Sequence, residues 1–142
     1  MMPVRREWRK FYASHFWRRI IRPRILKRAG GQFDGKGKYI GGARCESCGV
    51  PDHFNVWRWK GSWQWDDHWF AEDGIPPTEW GFCRFVYIIL TIAHLDHDPT
   101  HNDDDNLRAL CQWCHLHYDQ AHHKRVREIH KDERRPLLQG AA

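Results

Sequence analysis

The sequence predicts a small α+β domain, and three observations predict it. Cysteine recurs as two pairs of identical spacing, Cys45-Glu-Ser-Cys48 and Cys111-Gln-Trp-Cys114. Between the pairs lies VWRWKGSWQW, in which tryptophan alternates with polar residues on both sides of Gly61-Ser62, the signature of a β-hairpin. Beyond it the run RFVYIILTIAHL, β-branched and aromatic, passes into a polar loop and then a long helical pattern. At 142 residues the chain is the size of one ordinary domain. The expected parts are a basic helical segment at 1–29, a domain at 30–133 that carries the hairpin insertion at about 52–80, and a tail at 134–142.

Composition removes several classes. No run of about 18 apolar residues occurs, and the longest apolar patch, Phe85 to Ala93, is half of what a membrane helix needs, so a soluble protein without a membrane partner is expected. The start, MMPVRREWRKFYASHFWRR, is basic and aromatic with no apolar stretch, which does not fit a secretory signal; a mitochondrial leader fits less well than a cytoplasmic protein because serine is scarce. Five cysteines in such a chain point to metal ligation rather than disulfides. The formal charge is +5 and unevenly spread: Met1 to Arg28 holds ten Lys or Arg against one Glu, and the segment from His122 onward holds six basic against three acidic residues. Basic ends around a neutral-to-acidic centre suit a protein that straddles a polyanion, and suit a solvated basic tail equally well.

Taken in order, residues 1–29 read as a basic helix. Phe16, Trp17, Ile20, Ile21, Ile25 and Leu26 follow helical spacing, Pro23 forces a start or kink, and Gly30 is a natural stop. Gly30 to Gly42 reads as a glycine-rich loop, and Cys45 to Cys48 as a tight turn. The hairpin has two possible registers. A two-residue Gly-Ser turn places Lys60 opposite Trp63 and Arg58 opposite Trp65, whereas a three-residue loop places Trp59 opposite Trp63 and Trp57 opposite Trp65. The tryptophans serve either as a stacking platform or as the hairpin's own packing. After a loop marked by Gly74 and Pro76-Pro77, RFVYIILTIAHL reads as one strand ending at His94, DHDPTHNDDD as a turn-rich loop, and Asn106 to about Glu133 as one long helix capped by Asn106. Nothing patterned follows Arg134.

The cysteine pairs fit one tetrahedral zinc ion, because two thiolates three residues apart on a turn occupy adjacent corners of a tetrahedron, and Cys45, Cys48, Cys111 and Cys114 supply four corners. Cys83 reads as a small core residue. His115, His117 and Asp119 are left over. On a helix His115 and Asp119 share a face while His117 points elsewhere, and the strand end at His94 with Asp96 and His97 in the loop can add further nitrogen and oxygen ligands around a second, open metal position. His97, His101, His122 and His123 read equally as solvated side chains, and Asp103 to Asp105 as a loop tip and helix start.

The segment AHLDHDPTHNDDDNLRALCQWCHLHYD, together with CESCG upstream, resembles the HNH endonuclease family with its ββα-metal (His-Me finger) core, in the subgroup stabilised by a zinc-bound cysteine knuckle. His94 matches the second residue of the family's leading pair, Asn106 in NLRALC the middle Asn, and His115 directly after Cys114 the final His. The basic lead-in WRRIIRPRILKRAGG is similar to that of small HNH proteins, many of them phage-encoded, for which the host cytoplasm is the setting. The resemblance implies a metal-dependent nuclease that hydrolyses DNA phosphodiester bonds. In it His94 is the general base, Asn106 holds the loop that aims His94, and His115 binds a catalytic divalent cation such as Mg2+, Mn2+, Ni2+ or Zn2+ with Asp119, Asp96 or His97 beside it. DNA, not a small molecule, is the implied partner. Arg18, Arg19, Arg22, Arg24, Lys27 and Arg28 of the leading segment and Arg108 are the expected phosphate contacts, and the chain acts as a monomer or a homodimer. The family usually has a metal-binding Asp or His where this chain has Ala93, so a variant of the fold that binds nucleic acid without cutting is the alternative, with a zinc-stapled protein-interaction domain as a third reading.

Overall fold

The computed structural model describes residues 6–66 and 83–133, so the expected loop at Gly74 and Pro76-Pro77 and the tail at 134–142 lie outside the described residues. The N-terminal segment is helical but broken. A 3-10 turn (Arg6–Trp8) leads into α1 (Arg9–Ala13); the chain extends at Ser14, whose hydroxyl accepts the Trp17 amide at 3.2 Å, and restarts. A π-turn (Trp17–Ile21) precedes α2 (Arg22–Arg28), with the Arg22 amide bonded five residues back to the Trp17 carbonyl. The kink expected at Pro23 is this π-turn, since proline in the first turn of α2 has no amide to continue the regular ladder. One continuous helix over 1–29 is therefore not what forms.

The expected stop is sharper than a loss of pattern. Gly30, at φ +95°, lets its own amide reach the Lys27 carbonyl while the Gly31 amide reaches Leu26 at 2.8 Å, the paired bonds of a Schellman cap. Trp17, Ile21, Ile25 and Leu26 are buried; Phe16 and Ile20 of the same expected stripe are exposed. The glycine-rich loop contains a small ribbon, β1 (Gln32–Phe33) against β2 (Tyr39–Gly41), turned by Asp34, whose carboxylate accepts the Lys36 and Lys38 amides.

A three-stranded antiparallel sheet follows, with β3 (Asn55–Trp59) between β4 (Trp65–Asp66) and β5 (Cys83–Tyr87). Arg58 stands opposite Trp65, the pairing of the two-residue turn. The run read as one strand is two. β5 belongs to the hairpin sheet, whereas β6 (Thr91–His94) pairs with β7 (Leu107–Leu110) in a separate antiparallel pair, from Thr91 opposite Leu110 to His94 opposite Leu107. The β3/β5 ladder runs on through the Ile88 amide on the Phe54 carbonyl and the His53 amide on the Ile88 carbonyl, and the chain leaves it where buried Asp52 takes the Leu90 amide at 2.8 Å.

The long helix is likewise shorter than expected. Asn106 closes a 3-10 turn (Asp104–Asn106), Leu107–Leu110 is strand β7, and α3 runs only over Gln112–Glu133. Leu-Arg-Ala-Leu tolerates a helix by propensity, but Leu107 and Ala109 face the core while Arg108 is exposed, and pairing with β6 decides the outcome. The core joins α2, the cysteine turn, Val56 of β3, Ile88 and Leu90, and the β6/β7 pair. Among the described residues no helix is long and apolar enough to cross a membrane.

Candidate functional site

Two clusters of side chains meet at the start of α3, one of cysteines and one of histidines with Asp119; of these two, only the cysteines bring three or more ligand atoms within 4.8 Å of one another. The first is sulfur. Cys45 and Cys48 sit on a turn closed by the Gly49 amide on the Cys45 carbonyl at 2.8 Å; Cys111 follows β7 and Cys114 lies in the first turn of α3. The four sulfurs lie within 4.8 Å of one another, and Cys48 and Cys111 are 3.7 Å apart. A tetrahedron of sulfurs around zinc at about 2.3 Å has edges of about 3.8 Å, so the residues fit that ion. Backbone amides complete the cage: Cys48 N and Cys111 N point at the Cys45 sulfur at 3.5 and 3.4 Å.

Crowding also shapes the acidity of these thiols. Hydrogen bonds from Cys111 and Cys48 hold Cys45 far below the usual thiol range, while burial and the neighbouring sulfurs push Cys114 up to about 12. Four thiols at this spacing cannot all ionise by themselves, and a divalent cation is what lets them. Glu46, inside the turn, fastens the cage: its amide bonds the Ala109 carbonyl, its carboxylate accepts the Ala109 amide, and the Arg28 guanidinium grips both of its oxygens at 2.7 and 2.8 Å. Beside the sulfurs lies Arg58, only 6% exposed, with Nη1 3.5 Å from the Cys111 sulfur and Nη2 3.5 Å from the Cys48 sulfur. Cys83, half-buried on β5 opposite Trp59, takes no part in the cluster or in the core.

The second cluster surrounds a cavity of about 710 Å³ that holds His94, His97, His115 and Asp119 in its wall. His94 ends β6 and is 8% exposed, its ring stacked on Trp17 at 5.5 Å. Its Nε2 is 2.9 Å from Asn102 Oδ1. Because the Asn102 amide nitrogen donates to the Pro99 and Thr100 carbonyls, the oxygen faces His94, so Nε2 carries the proton and Nδ1, 3.5 Å from the Tyr12 hydroxyl, is the basic nitrogen.

His115 is oriented in the same manner. Thr91 Oγ1 stands 2.7 Å from His115 Nδ1 and 3.4 Å from the Leu110 carbonyl, which holds the ring with Nε2 toward Asp119. Burial lowers the His115 pKa, favouring the neutral, ligating ring. Asp119, four residues on, joins two rings: Oδ2 is 3.4 Å from His115 Nε2 and Oδ1 is 3.2 Å from His97 Nε2. His97 reaches this place through a left-handed backbone, φ +60°, and stacks on His122 at 3.7 Å. His117 faces elsewhere, bonded to the Trp113 carbonyl.

Asp96 is turned away from the cavity. It accepts the Asp98 amide, the Asn106 side-chain amide and His101, and these bonds hold its carboxyl far below the usual range. Asn106, buried, secures the whole loop: Oδ1 accepts the Asp96 amide, Nδ2 donates to Asp96 and to the His101 carbonyl, and its own carbonyl takes the Leu95 amide. A third group, His101, Asp103 and Asp105, is exposed on this loop, with His101 bonded to Asp96 and Asp103.

The expected phosphate contacts divide. Arg22 lines the large cavity, and Arg18, Arg19 and Lys27 are exposed on the same segment. Arg24 and Arg28 are engaged within the protein, Arg24 with Asp104 and the Asn102 carbonyl and Arg28 with Glu46 and the Leu107 carbonyl. Arg108 lines a separate cavity of about 260 Å³ near Cys114 and Tyr118. Sequence reasoning misses Thr91, Asn102, Trp17 as the ring under His94, and Arg58 as the partner of the thiolates. The alternation of the hairpin carried only the Arg58 position; the others are partners across the fold with no local pattern. No protein-family model, curated protein or solved structure matches the chain.

Proposed function

We propose that the chain is a metal-dependent DNA nuclease of the HNH type, with β6, β7 and α3 forming a ββα-metal unit and the four cysteines holding a structural zinc ion. The observation that carries this reading is that His94 and His115, from the strand and the helix of that unit, share one cavity, with His94 Nε2 held by Asn102 and His115 Nδ1 held by Thr91. Hydrolysis of a phosphodiester needs a base near neutrality, a cation beside the scissile phosphate and cationic contacts to the strand.

In this reading His94 Nδ1 takes the proton of the attacking water as its oxygen adds to phosphorus and the bond to the leaving oxygen breaks. The Asn102 carbonyl oxygen steadies the imidazolium through Nε2, and Asn106 keeps the loop in place. His115 and Asp119 would hold the divalent cation, whose contribution would be charge neutralisation at the phosphate. His97 does not fill the position of Ala93; its left-handed backbone turns the ring onto the other oxygen of Asp119, where it orients that carboxylate. Arg22, in the cavity wall, and Arg18 and Arg19 beside it supply phosphate contacts.

The test is plasmid cleavage by the purified chain with Mg2+, Mn2+, Ni2+ or Zn2+. Cutting that falls by about 10²–10⁴-fold in His94→Ala and is lost in His115→Ala, with both variants folded, supports the nuclease. The reading of a nucleic-acid binder without activity is favoured by Ala93 and by the Tyr12 hydroxyl at His94 Nδ1. Salt-sensitive DNA retention with no cleavage in any of the metals would establish it instead.

A further inference from the structure

The structure carries a buried charge that the nuclease reading does not use. Arg58 projects from the central strand of the hairpin sheet into the cysteine cluster and is 6% exposed. Among the described residues no carboxylate reaches it; its terminal nitrogens end on sulfur, one on Cys48 from the first pair and one on Cys111 from the second. A guanidinium never sheds its proton in a protein, so burying one without an anion is costly. Neutral thiols are weak acceptors and do not offset that cost. Four thiolates around a divalent cation do, because the centre then carries two negative charges in excess.

We propose that Arg58 is the built-in counter-cation of the four-thiolate zinc centre, drawing charge from the Cys48 and Cys111 sulfurs and thereby lowering their reactivity, while Cys45 is left to the Cys48 and Cys111 amides. The inference rests on the zinc reading of the cysteines and not on the nuclease reading. The arrangement also ties the hairpin sheet to the metal centre, since Trp65, opposite Arg58, donates its indole N–H to the Cys48 carbonyl at 2.9 Å.

The experiment uses the zinc-loaded full chain, Arg58→Met and Arg58→Lys, treated with iodoacetamide at single-hit conversion, with mass mapping of each modified cysteine. In Arg58→Met the initial rates at Cys48 and Cys111 rise about tenfold, the scale on which an outer partner of a metal ligand acts, while Cys45 and Cys114 move little. In Arg58→Lys, whose single ammonium cannot span two sulfurs, the rates at Cys48 and Cys111 separate from each other. Four rates that rise together, or none that rises, would overturn the proposal. Should the methionine variant fail to fold, the lysine comparison decides alone, with equal rates at the two sulfurs counting against it. Failure of the zinc reading looks different: the wild-type chain then retains no zinc after dialysis, and its cobalt-loaded form lacks the intense absorption of a tetrahedral thiolate site.

Discussion

Cys114 and His115 are sequence neighbours at the start of α3, yet they serve different clusters, because one residue turns a helix by about 100°. The sulfur cluster is closed. Its four ligands are of one kind, they are drawn in by two pairs of equal spacing, and amides on Cys45 and Arg58 on Cys48 and Cys111 meet them from outside. The imidazole cluster is open: its groups come from β6, the following loop and α3, their second nitrogens are fixed by Asn102 and Thr91, and a cavity lies between them. On the reading proposed above, the difference teaches how one small fold would use a metal in two ways. A ligand set surrounded on all sides acts as a staple for the chain, and a ligand set with space in front of it can meet a substrate. On that reading the staple also serves the open site, since Cys114 immediately precedes His115 at the start of α3.

The largest expected effect lies on the closed side. Replacing Cys48 or Cys111 with serine leaves too few thiolates for a structural zinc site, whose contribution to folding is on the order of 10 kcal/mol. The variant loses zinc by metal analysis and its cooperative thermal transition by circular dichroism. His115→Ala or Asp119→Ala should keep both zinc and transition while abolishing cleavage, so mild chelation that stops cutting before it lowers the melting temperature is the clearest sign of two unlike sites. If both properties are lost at the same chelator concentration, the two-site comparison breaks.

Next in size is the loop that joins the clusters. Asn106→Ala removes a buried amide that satisfies the Asp96 amide, the Asp96 carboxylate and the His101 carbonyl, so stability falls by about 2–3 kcal/mol in urea unfolding. Asn102→Ala should cost less stability but more activity, because its main partner is His94 Nε2 and its loss frees the wrong tautomer. Equal losses in both properties would make Asn102 a loop residue and nothing more.

How much of this was legible in the sequence follows from what each feature depends on. The cysteine cage was readable because C-x-x-C spacing is itself the geometry of a turn, and the hairpin because alternation survives into its register, with Arg58 opposite Trp65. The neighbouring placement of His115 and Asp119 followed from helical spacing. Strand β7 was hidden: Leu107–Leu110 has ordinary helix formers, and only the partner strand β6 makes it extended. The split of the apolar run was hidden for the same reason, since Asp52, far back in sequence, takes the Leu90 amide. His97 was readable as a loop residue near the second cluster, but not its placement on Asp119; a left-handed histidine is invisible until the loop is built around Asn106.

The smallest effect concerns pH, and it acts on the open side alone. Asp96 is held below its usual range by the Asp98 amide and His101, and His101 is raised by Asp96 and Asp103. A depressed acid stabilises the loop above its unfolded pKa, about 4, and that contribution fades as pH falls through the folded value. A raised histidine contributes fully below about 6.5 and loses its contribution as pH rises through its folded value. The two act together between roughly pH 4 and 6.5, and the loop loosens above that window. All three groups are solvent-facing, so the effect is modest. The melting-temperature gap between wild type and Asp96→Asn should be widest near pH 6 and narrow by pH 8.5, and a cleavage rate that drops over the same interval would tie the loop's charge to the aim of His94. A gap that stays constant across the range would mean that Asp96 holds the loop through its bonds to Asn106 and the Asp98 amide, with the His101 charge contributing nothing.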